Sequence, residues 1–225
     1  GPKYLNSPET PLYDKSKELY GLFFAKMAIR ERKEAILVEG YTDVISLHQA
    51  GVTNAIATCG TSLTEQHLKQ LSRFTNRLLL LFDGDEAGIR ASLRSIDLAV
   101  AQSFEVKVLL LPEGQDPDEF VQQRGAKGFR EFSEQHAEGF VEFILHATAG
   151  DEPLDNPEIR TRAIERVTTT LSRIPDDLQR TVYAQHAAKI LDVPAELILE
   201  QVTRILATLQ RQAQYRERYR QQDTD

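Results

Sequence analysis

Leu78-Leu79-Leu80-Leu81-Phe82-Asp83-Gly84-Asp85 is the stretch from which the rest of the chain is read. Its five apolar residues show no polar alternation, as in a strand covered on both faces. Two carboxylates separated by a glycine follow at its end. The same pattern recurs on either side. Ala35-Ile36-Leu37-Val38 runs into Glu39, and Val106-Lys107-Val108-Leu109-Leu110-Leu111 precedes Asp116 and Asp118. Ala55-Ile56-Ala57 is a shorter, weaker strand. Between these runs lie helical stretches over 42–50, 62–74 and 86–103. Ser62-Leu63-Thr64-Glu65 has capping-box spacing, with Ser62 as the cap. Short connections between alternating strands and helices require crossover helices. The expectation is an α/β fold: a Rossmann-like parallel four-strand sheet flanked by helices.

The flanks divide the chain further. Residues 4–13 hold two prolines and no helical period, so they should be extended. From Lys15 to Glu34 the pattern is helical, with Leu19, Leu22, Phe23, Met27 and Ala28 at helical spacing. After Asp118 helices are expected over 119–124, 128–135 and 139–147. Ile159, Ala163, Ile164, Val167 and Leu171 then form one apolar stripe. Leu178, Val182, Ile190 and Leu191 form a second, and Leu197, Val202, Ile205 and Leu209 a third. This reads as a small helical bundle. The expected organisation is therefore an N-terminal segment and helix (1–34), a catalytic α/β domain with a helical extension (35–148), a helical bundle (149–209) and a polar tail or linker (210–225).

Composition narrows the function classes. The 225 residues carry 34 acidic and 27 basic side chains, a net charge of −7, so the chain is no generic polycation for nucleic acid. A single cysteine, Cys59, excludes an internal disulfide and any multi-cysteine zinc site in the chain, and it reads as a small buried residue. No apolar run approaches the roughly 20 residues of a membrane span. The expectation is a cytoplasmic protein with no membrane partner. Gly1-Pro2 has the form of a protease-tag remnant.

The carboxylates carry the chemistry. In an open parallel sheet ligands bind beyond the carboxyl ends of the strands, and Glu39, Asp83, Asp85, Asp116 and Asp118 all fall there. Alternate residues of extended chain point the same way, so each aspartate pair can aim together. Unpaired, the five would repel one another and some would protonate. Hard divalent cations with oxygen ligands remove the conflict, so the spacing asks for Mg²⁺ or Mn²⁺ in phosphoryl-transfer chemistry. Taken singly, Asp116-Pro117 is an ordinary helix cap and Asp-Gly-Asp an ordinary turn. An aspartyl phosphohydrolase is a rival, but its Asp pair normally follows the first strand rather than the third. A catalytically idle interaction module is the non-enzyme alternative.

Val38-Glu39-Gly40-Tyr41-Thr42-Asp43, followed by Phe82-Asp83-Gly84-Asp85-Glu86-Ala87-Gly88, resembles the Toprim domain of primases, topoisomerases and some nucleases. Lys3-Tyr4-Leu5-Asn6-Ser7-Pro8-Glu9-Thr10-Pro11, Cys59-Gly60-Thr61-Ser62-Leu63-Thr64 and Asp116-Pro117-Asp118-Glu119 are similar to the bacterial DnaG-type replicative primases. The resemblance runs from residue 3 to about 205. It implies the Toprim and helical subdomains of a primase RNA-polymerase core, which makes RNA primers on single-stranded DNA by metal-dependent nucleotidyl transfer. It further implies Glu39, Asp83 and Asp85 as catalytic residues and, with Asp116 and Asp118, as ligands of two or more Mg²⁺ or Mn²⁺ ions. Lys3, Asn6, Lys15 and Asp43 fall on nucleotide-binding positions. The implied partners are template, RNA primer, NTPs, guanosine tetraphosphate-type alarmones, and a replicative helicase contacted through a C-terminal domain absent here. Glu86 departs from the family, where a basic residue is common. The zinc ribbon and the basic template-gripping subdomain of the family have no counterpart in this sequence.

Overall fold

Four strands run parallel through the molecule: β1 (Ala35–Val38) and β2 (Ala55–Ala57) are buried throughout, β3 (Arg77–Phe82) is buried from Leu78 on, and β4 (Glu105–Leu110) exposes Glu105 and Lys107. The computed structural model describes residues 14–58, 60–112 and 115–222. The segment 4–13, Lys3, Asn6 and Cys59 lie outside them. The sheet order is β2-β1-β3-β4-β5. Leu37 pairs with Ile56 on one side and Leu80 on the other, and Phe82 pairs with Leu110. The fifth strand, β5 (Glu138–Gly139), is antiparallel to β4. It corrects the four-strand expectation; two residues without apolar alternation give no sequence signal.

Helices cover both faces. α2 (Tyr41–Gln49) and α5 (Pro117–His136) pack through Val44, Leu47, Phe120, Val121 and Phe129 against Ile36, Val38, Leu79, Leu81 and Leu109. Ile29 of α1 (Leu22–Arg32), Leu68 and Leu71 of α3 (Glu65–Leu71), and Ile96 and Ala99 of α4 (Glu86–Ala101) are buried too. The expected helix from Lys15 begins only at Leu22. Gly21 has φ of 82°, and a Cβ there would meet Val44 Cγ1 at 2.8 Å, so the chain turns. Tyr20 instead bridges to Ala57. Consequently α1 buries Leu22, Ala25 and Ile29, while Phe23 and Met27 of the expected stripe are exposed. At α3 the cap is Thr64, not Ser62: Thr64 Oγ1 accepts from His67 N at 3.1 Å, and His67 Nδ1 accepts from Thr64 N at 3.3 Å. The helices expected over 119–124 and 128–135 are one element, α5, kinked at Gly125.

The chain forms two compact units, 1–143 and 144–225, dividing inside α6 (Phe140–Ala149). In the second, α7 (Pro157–Leu171) and α8 (Asp177–Leu191) pack on one another and on α9 (Ala195–Gln222). α7 buries Ile159, Ala163, Val167 and Leu171 of its expected stripe, and Ile164 is half-buried. α8 does not: Leu178 and Val182 are exposed, and Ala184, Ala187, Ala188 and Leu191 face inward. Alanine permits closer helix approach than leucine, which a hydrophobicity pattern does not register. The polar stretch from 210, expected as a tail or linker, continues α9 as helix to Gln222.

One glycine fixes the link between β3 and α4. A Cβ at Gly88 would stand 2.1 Å from the Asp83 carbonyl oxygen, while Gly88 N donates to Asp85 Oδ1 at 2.7 Å. Gly88→Ala must push the Asp83-Gly84-Asp85 turn away from the helix. The expected cost is about 1–3 kcal/mol, the range for overpacking a filled site, read as a lowered midpoint in urea unfolding.

Candidate active site at the carboxyl edge of the sheet

The parallel pairing delivers the acids to one edge. Glu39 is the first residue after β1 and Asp83 the first after β3. Since Leu37 pairs with Leu80, Glu39 stands level with Phe82, and Asp83 lies one residue farther along the neighbouring strand. A cleft of about 380 Å³ opens there, lined by Glu39, Tyr41, Asp43, Asp83, Asp116 and Pro117 among others.

Helix starts fix most of the remaining carboxylates. Asp43, in the first turn of α2, accepts from Gly40 N through Oδ2 at 3.1 Å. Asp85 caps α4 through Oδ1. Asp116 caps α5, accepting from Glu119 N at 2.8 Å, with Pro117 in the first turn. The ordinary reading of Asp116-Pro117 as a cap is therefore true, and the cap also faces the cleft. Asp118 lies inside α5, where the two-residue alternation of extended chain no longer applies. Its Oδ1 accepts from Ser46 Oγ and from Gln122 Nε2, each at 2.5 Å, which ties α5 to α2. Asp85 and Asp118 do not line the cleft. Lys15 does not line it either; its carbonyl accepts from the buried His67 Nε2 at 2.9 Å. Thus Glu39, Asp43, Asp83 and Asp116 are brought together, with Asp85 and Asp118 beside them.

The charges feel one another. Burial pushes Asp43 up to about 6; Asp116, Asp83 and Asp118 push the same way, and the Gly40 N–H opposes them. Glu39 is raised by partial burial, then by Asp83 and Asp85, against Arg94. Asp83 is raised by partial burial, then by Asp85 and Asp116. Arg94 is a residue the sequence reading missed. It lines a second cleft of about 350 Å³ that shares Glu39 and Gly60 with the first. Nothing in the sequence distinguishes Arg94 from any exposed helix cation.

This donor set suits a hard divalent cation: the ligands are oxygen, and their mutual repulsion is what a cation relieves. Among the described residues, however, no three His, Cys, Asp or Glu side chains are close enough to hold one ion. A divalent ion held here would take one or two of these carboxylates and fill the rest of its shell with water.

The raised Asp43 pKa carries a pH signature. Its cost to folding is absent below the unfolded value near 3.8 and complete above about 6. Asp43→Asn keeps an acceptor for Gly40 N and removes the charge. In metal-free buffer the variant should match the parent at low pH and exceed its stability by about 1–2 kcal/mol at pH 8; solvent contact reduces the gain below what the shift alone gives. Paired urea titrations at both ends of the range check this.

Comparison with known proteins bears on the family. The family model described as the DNA primase catalytic core N-terminal domain matches residues 1–26, a Toprim-like model matches 36–121, and the DnaB-helicase binding domain of primase matches 141–196. The last falls on α6–α8, within this chain, whereas the sequence reading put helicase contact on a domain beyond it. DNA primase of Listeria monocytogenes is 36% identical over 215 residues, 95% of this chain and 34% of that protein. DNA primase of Pseudomonas aeruginosa is 37% identical over 200 residues, 88% of this chain and 30% of that protein. The chain thus spans about a third of these relatives. A crystal structure of a DNA primase domain from Pseudomonas aeruginosa superposes with a TM-score of 0.79 at 36% identity, covering 90% of this chain and 64% of that one. A DnaG primase catalytic domain bound to ssDNA superposes with a TM-score of 0.73 at 34% identity, covering 84% of this chain and 61% of that one. With family models, relatives and fold in agreement, the chain belongs to the bacterial DnaG-type primases and carries their Toprim core.

Proposed function

We propose that this chain supplies the metal-dependent nucleotidyl-transfer centre of a primase that synthesises RNA primers on single-stranded DNA. The observation that carries the reading is the cleft where Glu39, Asp43, Asp83 and Asp116 meet at the ends of adjacent parallel strands. Glu39, Asp83 and Asp85 are the proposed catalytic residues; with Asp116 and Asp118 they would hold the divalent ions. Bound ions supply the charge that activates a primer 3′-hydroxyl and stabilises the departing pyrophosphate. The chain's own part is to position. β1 and β3 fix Glu39 and Asp83 on rigid backbone, and the caps of α4 and α5 fix the carboxyl planes of Asp85 and Asp116. Asp118, held by Ser46 and Gln122, would serve through its second oxygen. Template, primer and NTPs are the proposed ligands, alarmones the proposed competitors of NTPs, and a replicative helicase the proposed partner of the bundle.

Calorimetric titration with Mn²⁺ tests the centre. Asp83→Asn together with Asp85→Asn should weaken binding at least tenfold, about 1.4 kcal/mol or more. The fold should be retained, because Asn at 85 can still cap α4. Unchanged affinity would remove the assignment.

Nucleotide binding gives a second test. The acidic cleft repels a triphosphate until a bound cation reverses the local charge, so labelled NTP should bind only with Mn²⁺ present. Lys3, Asn6, Lys15 and Asp43 are the proposed nucleotide contacts. Lys15→Ala should cost about 1–3 kcal/mol of NTP binding, the range for a hydrogen bond to a charged group. Metal-independent binding in a fluorescence titration would contradict the scheme.

A further inference from the structure

The first unit carries a further concave surface, outside the two clefts already described and opposite in charge to the carboxylate cleft. A shallow groove of about 360 Å³ is lined by Lys17, Gln66, Lys69, Gln70 and Arg73. Residues 66, 69, 70 and 73 succeed one another at helical spacing along α3 and the turn after it, so they share one face. Lys69 and Arg73 are exposed and have no ion-pair partner among the described residues. Lys17 pairs with Asp14 at 2.7 Å.

Lys17 reaches this face because the segment before it is strapped to α3. Thr64 Oγ1 donates to the Ser16 carbonyl at 2.7 Å, and the buried His67 Nε2 lies 2.9 Å from the Lys15 carbonyl. Ser16 N and Oγ both donate to Asp14 Oδ1, at 3.0 and 2.5 Å, which closes the turn. Thr64, the cap of α3, and His67 thus hold a non-helical segment so that Lys17 lies beside the helix cations. With Lys17 shared with Asp14, Lys69 and Arg73 carry the groove's uncompensated charge in a chain of net charge −7.

We propose that this groove binds the sugar–phosphate backbone of a nucleic-acid strand without reading its bases. Lys17, Lys69 and Arg73 would meet successive phosphates, and the Gln66 and Gln70 amides would donate to phosphate or sugar oxygens. The groove has no aromatic lining on which bases could stack, so contact would be electrostatic and sequence-tolerant. α3 begins five residues after Gly60, which lines the carboxylate cleft, and runs back toward the start of β3. The Gln66 end of the groove is therefore the end nearer the proposed nucleotidyl-transfer centre. The inference rests on that reading only for its purpose, not for the binding itself.

The test uses the 225-residue chain, a fluorescein-labelled oligo(dT) and anisotropy at several salt concentrations, in EDTA so that the carboxylate cleft stays negative. Lys69→Ala with Arg73→Ala should weaken binding at least fivefold at low salt. The slope of log K against log salt should become shallower by about 1.4, two released counterions on single-stranded DNA. Lys69→Glu with Arg73→Glu should weaken it further. Both pairs are exposed, so melting and Mn²⁺ affinity should match the parent. An unchanged slope and affinity, or no binding by the parent at low salt, would overturn the proposal. Displacement of oligo(dT) by free ATP at equal phosphate concentration would reassign the groove to nucleotides and overturn it as well. Failure of the Asp83 and Asp85 substitutions to alter Mn²⁺ binding would leave this result standing, so the two readings fail separately.

Discussion

The pairing of β1 with β3 is the constraint on which the rest depends. These two parallel strands neighbour each other in the sheet although a whole strand and two helices separate them in sequence. Their register puts Glu39 beside the end of β3, and neighbouring strands lie only about 4.8 Å apart. Two carboxylates are thus delivered to one place by backbone hydrogen bonds, which no side-chain rotamer can undo. Adding β4 on the other side of β3 brings the loop that ends in Asp116 to the same edge. A slip of one residue in either pairing would turn Leu37 or Leu80 to the wrong face. The buried strands therefore hold the site's geometry through the hydrophobic core.

The core and the site differ in what the sequence exposes. The unbroken apolar run of β3 is legible because a strand buried on both faces leaves no room for polar alternation. Glu39, Asp83 and Asp116 are legible because they interrupt such runs at their carboxyl ends. The expectation that Asp116 and Asp118 aim together fails, since α5 begins between them and Asp118 turns toward Ser46. Capping at Thr64 rather than Ser62 escapes the pattern for a similar reason. His67 can fill the return position of a capping box, although the sequence rule names Glu or Gln there.

Surface helices were the least legible elements. Phe23, Met27, Leu178 and Val182 have the spacing of buried positions and are exposed, whereas Ala25, Ala184, Ala187 and Ala188 are buried. Periodicity marks a face that contains large apolar residues. It does not say whether a neighbouring helix approaches on that face or on the adjacent one, where small residues allow closer contact. Only tertiary packing decides this. Gly21 likewise decides where α1 starts, through a positive φ and its closeness to Val44. No periodicity argument detects that.

The cleft is assembled against its own electrostatics, and this bears on how it works. Burial and the neighbouring aspartates hold Asp43, Glu39 and Asp83 above their ordinary pKa values. Folding thus makes ionisation of these acids harder than in the unfolded chain, and the hydrophobic strands beneath bear the cost. A divalent ion entering the cleft would be attracted by the carboxylates and would also relieve their mutual repulsion. Part of its binding free energy would therefore appear as added stability of the fold and as protons released from the cleft. Arg94, which lowers the Glu39 pKa from the adjoining cleft, opposes the conflict at one acid only. Asp83 is raised by its burial and by Asp85 and Asp116, so it would gain most from a bound ion. The same fold that fixes the carboxylates leaves their charge to be balanced from outside the chain.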